Sequence, residues 1–376
     1  VASLSIPRCR IAYGADLGRR RLVVVRVARG AAATTLWQES GADAAGRLPA
    51  LTAEIAAAVA GGRAVLSAAL PATDSFARWL ETPLTARDKA AKVLPALLDV
   101  QLPFPLETCL YDFSRLQPAA GGQYRAFACA ARRTDIEARL AQHRALHLEP
   151  VVLQHEGLAL WQQALAEIPL APHAVRIVAY VGEARTALAV GSGPNGGELI
   201  SLHGIRLGAD ELAAPDAPAL RQWAGRIIQL LHTLPATTEP IQWLWCGPGA
   251  ELAPVLEPVL AGGERLHCKT LAEPITFLAR ALAHAALQDA VPGNLRSGAL
   301  THPAVLAHAA RTRRNAVGNL FLAGLALTGV SLGWHAWLAH RETRLQTELV
   351  ATARQLTGAA SLPYGQEVAT VQRLLK

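Results

Sequence analysis

Methionine does not occur once in the 376 residues, an absence for which the sequence offers no physical reason. Other shortages are more instructive. The five cysteines, Cys9, Cys109, Cys129, Cys246 and Cys268, lie far apart, with no C-x-x-C pair and no histidine at metal-ligand spacing from any of them. That excludes a disulfide framework and a zinc module, and it fits reduced thiols in a cytosolic domain. Lys and Arg exceed Asp and Glu by 36 to 29, a net charge of +7, yet the basic residues are scattered and no basic block is interleaved with aromatics. Nucleic acid is therefore not expected as a partner, and an anchor reading anionic lipid or nucleic acid through its charge ranks third among the functions considered. Residues 1–12 carry Arg8 and Arg10 and no apolar signal-peptide core, so export of the large domain is not expected.

What is abundant is apolar sequence, 51% of the chain, enough for a sizeable core in two or three domains. Its longest uncharged run, Ala316 to Ala339, is 24 residues without Asp, Glu, Lys or Arg. Wound as an α-helix it reaches about 36 Å, against about 30 Å of bilayer hydrocarbon. Trp334 and Trp337 sit near one end, as interface anchors do, and Arg311, Arg313 and Arg314 crowd the other. The expectation is one membrane span with the N-terminal side cytoplasmic. Beyond it, Leu345, Leu349, Ala353 and Leu356 recur at spacings of three to four, a stripe suited to pairing with a second chain as a homodimer or to packing on a small terminal motif. The expected division is a globular domain over 1–290, a juxtamembrane linker over 291–315, the span over 316–339 and a short periplasmic helical tail over 340–376.

The first 290 residues alternate strand-like and helix-like runs, as an α/β fold does. The stretch "YGADLGRRRLVVVRV", Tyr13 to Val27, reads as a strand, a tight turn and a second strand, and the pattern of a strand hairpin followed by helices and a further strand occurs twice. Between the two occurrences "TARDKAAKVLPALLDV" reads as a helix of an inserted unit, with "TCLYDFSRL" and "QYRAFACAA" as paired strands. The run "GSGPNG", Gly191 to Gly196, matches a dinucleotide fingerprint, but a strand-like run follows where a helix would be needed, so it is read as a turn. His143 and His147, four apart on a helix, lack a third ligand and are read as surface residues.

In order along the chain, several segments resemble the actin-like proteins of type IV pilus assembly and type II secretion, the GspL/PilM family. "GADLGRRRLVVVRV" stands where that family has its first phosphate hairpin, "LPFPLETCLYDFSRL" is similar to its Pro-Phe-Pro stretch leading into an Asp-Phe strand, and "AYVGEARTALAV" to its second phosphate hairpin. "LWCGPGAELAPVLEPVL" is similar to the adenosine-side Gly turn and helix, and "PGNLRSGAL" to the segment ahead of the membrane helix. The resemblance implies duplicated actin-like (ribonuclease H-like) α/β domains facing each other across a cleft. Only about 30 residues separate "GIRL" from "IQWLWCG", which implies a reduced fourth subdomain.

For the nucleotide site the resemblance is incomplete. Asp16 and Gly18 remain at the first hairpin, but Arg19 stands where the family has a small hydroxyl residue, and its long side chain is expected to fill the phosphate space or to replace the metal with its own charge. Gly182 and Thr186 match at the second hairpin, whereas Tyr180 stands where a catalytic member carries Asp; Gly247 and Gly249 are intact. Without a partner carboxylate, Asp16 is read as a turn-forming residue. The implied function is a non-catalytic inner-membrane scaffold, with no cofactor and no metal, whose cytoplasmic domain docks the assembly ATPase and whose remainder meets a small bitopic membrane partner. The alternative is a membrane-anchored ATPase or kinase using ATP with magnesium. In "ATDSFARWLETPL", Phe76 and Trp79 share a face if the stretch is helical, with Arg78 beside them, as candidate anchors for the ATPase.

Overall fold

The computed structural model describes residues 6–38, 48–193, 197–213, 218–234, 240–260, 266–288 and 290–357, with 369, 372 and 373. By contacts the chain forms two units, Val1–Ala309 and Ala310–Lys376.

In the first unit the Val-rich hairpin forms as read. Strand β1 (Ile11–Leu17) pairs antiparallel with β2 (Leu22–Ala28), and β3 (Thr34–Trp37) follows on the outside. Helix α1 (Leu48–Ala60) ends at Gly61 and Gly62, the latter at φ 67°, a backbone geometry for which glycine pays no steric penalty. Strand β4 (Ala64–Leu70) then returns parallel to β1. The inserted unit comprises β5 (Phe76–Thr82), α2 (Arg87–Gln101), β6 (Cys109–Phe113), β7 (Gln117–Pro118), β8 (Tyr124–Arg132) and α3 (Arg133–Ala145). Its sheet runs β5-β8-β6 with β7 beside β8. Strand β9 (Val152–His155) completes the first large sheet, β3-β2-β1-β4-β9, and leads into α4 (Glu156–Glu167).

The second series repeats that order. Strands β10 (Val175–Val181), β11 (Thr186–Ser192) and β12 (Glu198–Ile205) form an antiparallel meander, and the short α5 (Ala209–Leu212) and α6 (Pro218–His232) follow. Strand β13 (Ile241–Cys246), α7 (Ala253–Leu260), β14 (Leu266–Thr270) and α8 (Phe277–Ala286) close the lobe, giving a sheet β12-β11-β10-β13-β14. The central strands are buried along nearly their whole length because both sheet faces are covered, which is why they read as unbroken Val and Ala runs.

The last helix of each series crosses to the other lobe: α4 packs on β11 and on α8, while α8 packs across β1 and β2. Gly14 permits the second contact, since a Cβ there would collide with the Ala279 carbonyl of α8. Among the described residues only α5 and α6 lie between β12 and β13. Helix α9 (Pro303–Thr357) contains the entire 24-residue apolar run and is the one described helix long and apolar enough to cross a membrane.

Two readings change. The stretch holding Phe76, Arg78 and Trp79 is strand β5, so Phe76 and Trp79 point to opposite sheet faces and share none. Phe76 lies under the Arg78 guanidinium, 5.4 Å from ring centroid to Cζ, beside the α2 core, whereas Trp79 turns inward and donates from Nε1 to the Leu199 carbonyl of β12 at 2.7 Å. His143 is buried rather than a surface residue: it lies on the face by which α3 packs, and burial, with Arg139 nearby, pulls its pKa down to about 3. The "GSGPNG" run links β11 to β12, as a hairpin connection should, although Pro194, Asn195 and Gly196 lie outside the described residues.

Candidate functional site

The β1–β2 and β10–β11 hairpins face each other, and protein groups occupy the space between them. Asp16 is not a turn residue; it lies in β1, one residue before the strand end, and is buried. Its carboxylate Oδ2 accepts a 2.6 Å hydrogen bond from the hydroxyl of Tyr180, which comes from β10 in the other lobe. Burial pushes the Asp16 carboxyl above the ordinary carboxylate range, against the opposing pull of Arg185, and burial with the Asp16 charge raises the Tyr180 phenol further. Tyr180 therefore stays a proton donor.

The Tyr180 ring closes the site on the remaining sides. A Cβ on Gly247 would stand 3.0 Å from the ring, and one on Gly182 would also stand 3.0 Å from it, so both glycines that would let backbone approach a phosphate or nucleoside are packed against this phenol instead. Gly249 fits under Val181 and Ala209. The hairpin amides are committed as well: Gly18 N–H donates to the Arg21 carbonyl at 2.7 Å and Gly182 N–H to the Arg185 carbonyl at 2.8 Å. Thr186 is fully buried on the far side, donating to the Leu207 carbonyl and accepting from Trp223 Nε1 at 3.1 Å.

Arg19 does not enter the phosphate space. It is exposed, 3.8 Å from the Asp210 carboxylate, because the tight turn leaves it pointing outward. Its neighbour Arg20 makes the closer link, ion-paired to Asp210 and donating its backbone N–H to Glu183 Oε2 at 2.8 Å. Glu183 lies in the second turn and fixes the first rather than facing a metal.

Behind the Asp16–Tyr180 pair lies a buried charge network that sequence reasoning missed. Glu156, the first residue of α4, receives two-pronged donation from Arg185 at 2.9–3.0 Å and accepts from the Ala72 N–H at 2.7 Å. Arg139 of α3 donates to the Leu17 and Ala69 carbonyls, and burial brings its pKa down to about 10. No spacing in the sequence joins Glu156 of α4, Arg139 of α3 and Arg185 of the turn between β10 and β11; the one local signal was an acid at a helix N-terminus, where it is electrostatically favoured. Among the described residues no group of three metal-ligating side chains converges.

The segment after α8 is also part of this body. Gly293 N–H donates to Asp112 at 2.9 Å, Asn294 Oδ1 accepts from the Leu153 N–H at 3.2 Å, and Leu295 N–H donates to the Leu153 carbonyl at 2.8 Å, so residues 292–295 lie along the free edge of β9. Leu295 is fully buried and Arg296 pairs with Glu149.

No protein-family model and no curated protein matches the sequence. Solved structures do. The PilM–PilN type IV pilus biogenesis complex aligns at TM-score 0.56 and 19% identity over 75% of this chain and 100% of that one. The cytoplasmic domain of EpsL, an inner membrane component of the type II secretion system of Vibrio cholerae, aligns at 0.45 and 14% over 77% and 99%. A Bacteroides thetaiotaomicron protein with an actin-like ATPase fold and unknown function aligns at 0.43 and 8% over 74% and 96%. The repeated strand order, the crossed helices α4 and α8 and the likeness to the PilM–PilN structure together make this an actin-like fold, carried on a chain with, among the described residues, one helix long and apolar enough to span a membrane.

Proposed function

We propose that the protein is a non-catalytic, single-pass inner-membrane platform of the GspL/PilM kind, serving a type II secretion or type IV pilus-like system. Its actin-like domain is cytoplasmic and docks the assembly ATPase, and the remainder engages a small bitopic membrane partner. The observation that carries the non-catalytic part is the Tyr180–Asp16 hydrogen bond. A nucleotide-dependent member needs an open cleft, free turn amides and an ionised carboxylate for the metal, and here a phenol fills the cleft, the turn amides are bonded within their own hairpins and Asp16 is engaged. On β5, Phe76 and Arg78 remain together on one face as candidate ATPase contacts, while Trp79 serves the packing between β5 and β12.

The alternative, a membrane-anchored ATPase or kinase, is tested directly by titrating the full-length detergent-solubilised protein with magnesium and a fluorescent ATP analogue. No saturable binding is expected. Magnesium-dependent binding competed by ATP would replace the scaffold reading with the enzymatic one.

A further inference from the structure

The arginines that look scattered in the sequence are gathered by strand register. Ile11 pairs with Ala28 on one side and Ala64 on the other. Arg10, Arg29 and Arg63 therefore stand abreast at the same end of β1, β2 and β4, all three exposed, and the Arg29 N–H donates to the Arg10 carbonyl at 2.8 Å. With adjacent strands about 4.8 Å apart, three guanidinium groups leave the sheet within about 10 Å. The Arg29 guanidinium donates to a carbonyl, that of Leu287, and among the described residues none of the three forms an ion pair. Three like charges held side by side without counterions are a surface that favours an anionic partner.

The chain leaves the lobe at this end. His302, the residue before α9, lines a cavity of about 310 Å³ together with Ala60, the last residue of α1, from which Gly61 and Gly62 lead into Arg63. Val305, in the first turn of α9, is buried in the first-lobe core. From Val305 to Ala316, where the uncharged run begins, is eleven residues, a tether of about 17 Å when helical. Headgroups occupy about 5–7 Å of that length, so the tether allows a separation of about 10–12 Å, the order of the Debye length of about 8–10 Å. Arg311, Arg313 and Arg314 fall within the same interval.

We infer that the Arg10–Arg29–Arg63 row is a contact surface for the anionic phospholipid headgroups of the bilayer that α9 crosses, an inference that rests on the membrane reading above. The row orients the actin-like domain on the membrane. Each arginine close to an anionic leaflet shifts the docked population by about fivefold.

The test uses the full chain in nanodiscs of phosphatidylcholine alone, or with a third replaced by phosphatidylglycerol, with hydrogen exchange read at the turns 28–33 and 61–64. Exchange there is expected to slow by about fivefold or more in the anionic discs. High salt should reverse the slowing, and an Arg10→Gln/Arg29→Gln/Arg63→Gln variant should lose it. Should the triple variant misfold, Arg10→Gln and Arg63→Gln singly are each expected to lose part of the protection. Equal exchange in the two discs, with the protein inserted in both, overturns the surface while leaving the membrane reading intact. Failure to enter either disc overturns the membrane reading and the surface with it. Protection of the same turns by single-stranded RNA in neutral discs, exceeding that by phosphatidylglycerol, overturns the lipid assignment in favour of nucleic acid.

Discussion

At Tyr180 one side chain reaches both lobes at once. Its hydroxyl ties Asp16 of β1 to β10, while its ring supports Gly182 and Gly247. Tyr180→Phe keeps the ring and leaves Asp16 without its donor, an expected loss of about 1–3 kcal/mol. Tyr180→Ala also leaves a cavity and should cost about 3–5 kcal/mol. Chemical denaturation of the two variants checks this ordering, and equal losses would mean that the hydroxyl contributes nothing. A second residue-scale consequence concerns acid. Burial holds His143 neutral with a pKa of about 3, while the unfolded chain takes up a proton near pH 6.5. Between those values the unfolded state binds more protons, so this contribution to stability is complete above about pH 6.5 and is lost as the pH falls, about 2 kcal/mol by pH 5. His155, lowered to about 4 by burial, acts in the same direction. His143→Leu should flatten part of the slope of melting temperature against pH between 7.5 and 5; an unchanged slope would show that His143 does not titrate in the unfolding reaction.

Among elements, the 292–296 segment joins parts that would otherwise be separate. It covers the edge of β9, protecting a strand that would otherwise expose its hydrogen-bonding groups, and through Asp112 it also ties the inserted sheet to the first lobe. Its structural independence as a linker is therefore small: Leu295 is fully buried, and the helix that follows begins at Pro303. Leu295→Ala should cost about 2–5 kcal/mol, and Asn294→Ala should speed amide exchange at Leu153 in β9 without changing exchange in β13. Equal acceleration in both strands would indicate general destabilisation instead of a local strap.

On the scale of the whole molecule, the crossed helices make two lobes into one body, and the Tyr180–Asp16, Arg20–Asp210 and Trp79–Leu199 contacts join its parts across the cleft and the inserted sheet. A domain so closed is suited to holding partners in fixed geometry. The scaffold reading also requires a fixed topology: protease added outside intact spheroplasts is expected to spare everything before Arg314, and immunoblotting of the surviving fragment measures it. Loss of the 1–290 domain would place that domain on the wrong side of the membrane.

Some of this was settled by the sequence alone, because it depends on local chemistry. Strand and helix periodicity, the two Val- and Ala-rich hairpins and the length of the uncharged run follow from neighbours within a few residues, and the described elements agree with them wherever they fall. That a tyrosine, not an acid, occupies position 180 was equally legible. Tertiary structure decided what each of those residues touches. Asp16 turned from a turn former into a buried acceptor because Tyr180 of the other lobe meets its side chain; Arg19 left the cleft because a tight hairpin points it outward; Phe76 and Trp79 parted because a strand has period two where the docking pair assumed a helix. His143 was placed in the interior by the face of α3 that packs, which four-residue spacing cannot specify. Arg10, Arg29 and Arg63 form a row only because parallel and antiparallel pairing bring three distant strand ends into register, and the energy that does so lies in burying both faces of a sheet, a property of no single segment.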